Sequence, residues 1–113
     1  MATVKMMQGD SFAVFFAIRM KDTGDLITPS MVSEVEVSVG DSIRKTYTSG
    51  EVSYDATQRQ WYFVPSQEDT FSLDSDGYEV QARVKFRNEQ YSSVRGINLG
   101  YIMILDAHSE EVI

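Results

Sequence analysis

The ten residues Gly77-Tyr78-Glu79-Val80-Gln81-Ala82-Arg83-Val84-Lys85-Phe86 constrain this chain more than any other stretch. Tyr78, Val80, Ala82, Val84 and Phe86 alternate with Glu79, Gln81, Arg83 and Lys85. Side chains change faces at every residue of a strand, so a period of two predicts a β-strand with one dry and one wet face. At about 3.3 Å per residue it runs roughly 30 Å, enough to cross a small domain. A strand of this kind needs neighbours on both edges and a second layer over its apolar face.

The rest of the chain supplies them. Val4 to Gln8 reads as a short extended segment closed by the Gly9-Asp10 turn pair. In Ser11 to Met20 the residues Phe12, Val14, Phe16, Ile18 and Met20 share one parity and are expected inside; Phe15 stands on the opposite face. A polar turn, Lys21 to Asp25, leads to Leu26 to Met31, where Pro29 disfavours a ladder position and points to a crossing with a helical turn. Ser33 to Val39 is a strand with Val35, Val37 and Val39 inward, and Ile43 to Thr48 is an edge strand blunted by Arg44 and Lys45. Glu51 to Asp55 and Gln60 to Val64 form a hairpin with Trp61 and Phe63 on its core face. Pro65 ends it, and Ser66 three residues before Asp69 is a capping-box pattern for one helical turn, with Phe71 and Leu73 closing the bottom of the core. After Phe86 comes a polar hairpin loop, Arg87 to Gln90, and a long last strand from Tyr91 to Leu105. Gly96 and Gly100 interrupt that strand and signal a bulge or a close backbone approach. Ile97, Leu99, Tyr101, Met103 and Leu105 have one parity and Ile102 and Ile104 the other. About eight strands with frequent turn signals predict an all-β sandwich of about seven to nine strands over residues 1–105, followed by a polar tail, 106–113.

At 113 residues the chain has the size of one domain. Seventeen acids against ten bases give a net charge of −7, which opposes binding to phosphate backbones or to anionic membrane surfaces, so neither nucleic acid nor membrane is expected as a partner. With no cysteine, disulfides, thiolate catalysis and cysteine-ligated zinc are excluded. The N-terminus has no long apolar run, so no signal peptide is expected, and no segment approaches the ~18 apolar residues of a spanning helix. These features suit synthesis and retention in a reducing cytoplasm.

Candidate chemistry is sparse. The single histidine, His108, falls in the polar tail, outside any framework that would pair it with a nucleophile. Asp74 and Asp76, with Glu68 and Asp69 nearby, offer oxygens of the type Ca²⁺ takes, but their spacing is not that of an EF-hand and Asp, Ser and Gly are what a turn needs. No enzyme, cofactor or metal is expected. Trp61-x-Phe63 reads as core, whereas Tyr62 on the opposite parity is a surface candidate. Candidate partner contacts are Phe15, Tyr47, Tyr62 and Tyr91, with Ile102 and Ile104 of the last strand, whose apolar residues on both parities point to strand addition by another chain.

Two resemblances add to this. Asp74-Ser75-Asp76-Gly77-Tyr78-Glu79-Val80 resembles the start of strand F in immunoglobulin-like domains, where a tyrosine hydroxyl bonds back to upstream backbone, the tyrosine corner. Tyr78 would be that residue, and Val80 stands where a disulfide cysteine is usual in antibody domains. Across nearly the whole chain, Met7-Gln8-Gly9-Asp10-Ser11-Phe12, Asp22-Thr23-Gly24-Asp25-Leu26-Ile27-Thr28, Val35-Glu36-Val37-Ser38-Val39-Gly40 and Gly77 to Val84 look like small phage and prophage tail proteins. They are similar to the immunoglobulin-like N-terminal domain of siphophage baseplate upper proteins. The resemblance implies an immunoglobulin-like sandwich and a virion structural role in the tail or baseplate. It implies other tail proteins, or further copies of the chain in a homo-oligomer, as partners, and a bacterial cytoplasmic origin followed by virion association. The alternative from the residues alone is a carbohydrate-binding sandwich module using exposed aromatics.

Overall fold

The computed structural model describes residues 3–20, 22–87 and 94–113. Its strands are β1 (Val4–Met7), β2 (Val14–Phe16), β3 (Val32–Val39), β4 (Ile43–Thr46), β5 (Val52–Asp55), β6 (Gln60–Phe63), β7 (Gly77–Phe86) and β8 (Val94–Leu105). A 3₁₀ turn at Pro29–Met31 and one short helix, α1 (Gln67–Phe71), complete the regular structure. Two sheets face each other, one ordered β1-β8-β7-β3-β4 and the other β2-β6-β5. All pairings are antiparallel except β1 with β8, which is parallel. This is an immunoglobulin-like sandwich, with β7 in the place of strand F at the middle of the larger sheet.

The alternation in β7 explains that position. Val80, Ala82, Val84 and Phe86 are all buried, while Glu79, Gln81, Arg83 and Lys85 face water. Val35, Val37 and Val39 of β3 line up beside them and are equally buried, so the two strands form one apolar wall. Trp61 and Phe63 of β6 close the core from the other sheet. The Trp61 indole N–H donates to the Ile27 carbonyl at 2.9 Å, which satisfies the one polar atom of a wholly buried ring. Tyr47 and Tyr54 meet that ring edge-on at 5.2 and 5.1 Å.

Local signals place the connections. Ser66 and Asp69 make the reciprocal capping box at the start of α1, and Thr70 behind them is buried. Its hydroxyl accepts from the Gly9 N–H and donates to the Asp10 carbonyl, fixing the turn where the chain leaves one sheet for the other. Leu73 is buried below it and Phe71 half-buried. The Tyr78 hydroxyl donates to the Asp74 carbonyl at 2.9 Å, the bond that defines a tyrosine corner.

Two expectations change. Phe12 is 41% exposed because β2 starts only at Val14, leaving Phe12 in the irregular segment that follows the Gly9 turn. In β8 the alternation reverses partway. Val80 pairs with Gly100 and Gln81 with Asn98, so Leu99 is the extra residue of a bulge that Gly100 accommodates at φ 134°. Leu99 is buried, and after the bulge Ile102 and Ile104 point inward while Tyr101, Met103 and Leu105 point outward. Of the expected 87–90 hairpin loop only Arg87 is described; residues 88–90, and the expected start of the last strand at 91–93, lie outside the described residues.

Candidate interaction surface

The bulge decides what the larger sheet shows to solvent. Met7 of β1 stands opposite Leu105 of β8, and Lys5 opposite Met103. Tyr101, Met103, Leu105 and Met7 are 51, 38, 45 and 46% exposed, on adjacent strands and on one face. The Met103 methyl lies over Gly77 of β7, where an added Cβ would sit 3.5 Å from it. Large apolar side chains grouped on neighbouring strands are unlike the scattered ones of an ordinary surface. The face lies beside an open edge. β1 is the outermost strand of its sheet, and it covers only Ile102–Leu105 of β8.

The other half of the same face is polar. Glu36 of β3 holds Arg44 of β4 and Arg83 of β7, each at 2.9 Å. Burial pushes the Glu36 carboxyl up, but the two guanidiniums outweigh it and keep the group below its ordinary value. Glu34 is likewise pushed up by burial and brought below its ordinary value by the Thr48 hydroxyl and by the N–H groups of Thr48, Val35 and Tyr47. These bonds fasten the chain beyond β4 to the sheet. At the β4 edge Lys45 reaches Asp69 of α1 at 2.9 Å, and that bond raises the lysine pKa against the effect of its burial. Charge therefore blunts one edge of the sheet, as the sequence led us to expect, while the β1 edge carries the apolar residues.

The sequence-derived candidates scatter. Phe15 and Tyr62 are register partners on β2 and β6, half-buried on the outer face of the smaller sheet, with rings 5.0 Å apart and tilted by 33°. Tyr47 instead packs against Trp61 at the margin of the core. Ile102 and Ile104 are core residues, 2 and 0% exposed, because the Leu99 bulge turns them inward; they are not surface contacts. Tyr91 lies outside the described residues. Met7, Tyr101, Met103 and Leu105 were not singled out as contacts from the sequence. The signal that could have found them is Gly100, read as the point where inward and outward residues exchange.

Trp61, fully buried, offers no stacking face to a sugar. Asp69 is engaged by Lys45 and the Ser66 N–H, and Asp76 accepts from the Gly77 N–H, so both serve a cap and a turn. The tail runs back along its own domain. The Ala107 N–H donates to the Gln8 side chain at 3.2 Å and the Ile113 N–H to that of Gln67 at 3.0 Å. Among the described residues no helix is long and apolar enough to cross a membrane. No protein-family model, curated protein or solved structure matches the chain.

Proposed function

We propose that this chain is a non-enzymatic protein-interaction module, a structural component of a phage or prophage tail or baseplate. The observation that carries the interaction reading is the apolar face of Met7, Tyr101, Met103 and Leu105 beside the open β1 edge. Main-chain groups of an edge strand give a partner affinity, and apolar side chains next to them give it specificity. The partner is another protein that lays an extended segment along β1 and covers these four side chains. A net charge of −7 on each copy opposes self-association and favours a neutral or basic partner. The tail assignment rests on the resemblance of the Gly9 turn and the β7 strand to siphophage baseplate domains. Mass spectrometry of purified tail particles tests it. The chain is expected at fixed stoichiometry with tail proteins; its absence from particles and from their assembly intermediates would overturn the assignment.

A further inference from the structure

Where the apolar face ends at Met7, an open groove of about 660 Å³ begins, walled by the Gly9 turn, α1 and the returning tail. Met7, Phe71, Val112 and Ile113 give it an apolar lining. Phe71 lies against the turn because Gly9 has no side chain: a Cβ there would come within 2.6 Å of Phe71 Cζ. The Gln8 side chain fixes the junction, donating to the Leu73 carbonyl at 2.8 Å and accepting from the Ala107 N–H. A second cavity of about 430 Å³ shares Gln8 and Phe71 with the first. Asp10 and Glu111 line the first cavity and Glu68 and Glu110 the second. No lysine or arginine lines either, and His108 is neutral at pH 7. Glu36 holds two arginines, and Glu51 and Asp69 share Lys45. By contrast, none of Asp10, Glu68, Glu110 and Glu111 forms an ion pair among the described residues.

We infer, on the interaction reading proposed above, that this groove receives a lysine or arginine side chain of the segment that covers the apolar face. A cleft lined by charge of one sign focuses its field and draws in the opposite charge. The aliphatic stem of a long basic side chain lies along apolar surface while its head stays among polar groups, so Met7 and Phe71 take the stem and the carboxylates the head. Complementary charge beside an apolar patch sets specificity and register more than raw affinity. An acidic segment, such as the tail of a second copy, would meet only like charge there.

The peptide acetyl-Ile-Thr-Ile-Arg-Arg-amide, titrated into the full chain labelled with nitrogen-15, tests this by NMR. It is expected to shift the amide signals of Gly9, Phe71 and Glu111 with millimolar or tighter affinity. The counterpart with glutamine for arginine should bind about fivefold or more weakly, and the one with glutamate should not bind. The double variant Glu110→Gln/Glu111→Gln should lose about fivefold for the arginine peptide. Asp22→Asn/Asp25→Asn removes the same charge from a turn that does not line the groove and should bind like the parent. Melting temperature checks that each variant is folded. No binding of the arginine peptide at several millimolar, equal binding of the glutamine peptide, undiminished binding by the folded Glu110/Glu111 variant, or an equal loss in the Asp22/Asp25 variant would each overturn the basic-segment assignment. Any of these results is obtained on purified chain and leaves the tail assignment to be judged by mass spectrometry of particles.

Discussion

Met7 and Leu105 face each other across the parallel β1–β8 pairing, both turned to solvent at nearly half exposure. The pairing joins the first strand of the domain to the last, so the face they share depends on both ends of the chain. Leu105 points outward only because Leu99 bulges six residues earlier. Deleting Leu99 would remove the bulge and leave a regular ladder in which Asn98 still faces Gln81, Gly100 still faces Val80 and Ile102 still faces Tyr78, so both faces of β8 are kept. Such a variant is expected to unfold cooperatively and to lose about 2–5 kcal/mol with the buried Leu99 side chain, as read by urea unfolding. Loss of cooperative unfolding would contradict the register given to the bulge.

Outward-facing apolar residues should be replaceable without loss of fold. Met103→Ser and Leu105→Ser are each expected to change stability by no more than about 0.5 kcal/mol, as is usual for surface sites, whereas Ile104→Ala should cost about 2–5 kcal/mol by opening a core void. Urea unfolding distinguishes the two classes. Equal losses would mean that the inner and outer faces of β8 are misassigned.

Much of the frame was legible in the sequence, and the limits have physical reasons. The period-two run of β7, the Ser66–Asp69 capping box, the Pro29 turn and the charged β4 edge are local signals, and each appears where it was expected. Trp61 could be read as core, but its partner could not, since the Ile27 carbonyl lies 34 residues away. The interaction surface was the least legible part. Alternation gives Tyr101, Met103 and Leu105 the parity of Ile97 and Leu99 and leaves Ile102 and Ile104 as the expected contacts, whereas a one-residue bulge inverts every later position and Gly100 marks its location without giving its sense.

The tyrosine corner makes two separable contributions. Tyr78→Phe removes the hydroxyl bonded to Asp74 and should cost about 1 kcal/mol in chemical denaturation. Beneath the ring, Gly40 has φ 53°, and a Cβ there would come within 2.9 Å of Tyr78 Cδ1. Gly50 also has a positive φ, 85°, but open space around it. Gly40→Ala should therefore destabilise more than Gly50→Ala, the excess measuring the ring packing. Equal effects would place the requirement for Gly40 in backbone conformation alone.

Acid should weaken the fold through its hydrogen-bonded carboxylates. Glu34, Glu36 and Asp69 all titrate below their ordinary values of 4.5, 4.5 and 3.8 in the folded protein. A carboxyl lowered by folding stabilises above its unfolded value, and that contribution fades as pH falls through the folded value. Stability is expected to hold from neutral pH down to about pH 5 and then to decline as the medium becomes more acidic. Glu34→Gln should flatten that decline. A stability that rises on going from pH 5 to pH 3 would contradict the hydrogen-bonding roles.

Site-specific photo-crosslinking tests most directly whether the outer face beside β1 is the working surface. Benzoylphenylalanine replaces Tyr101, Met103, Arg44 or Tyr62, one position at a time, in bacteria assembling the particles. Crosslinks are expected from positions 101 and 103 to one protein that copurifies with the tail, and none from positions 44 or 62. Crosslinks to a tail protein from position 44 or 62, with none from 101 and 103, would contradict this.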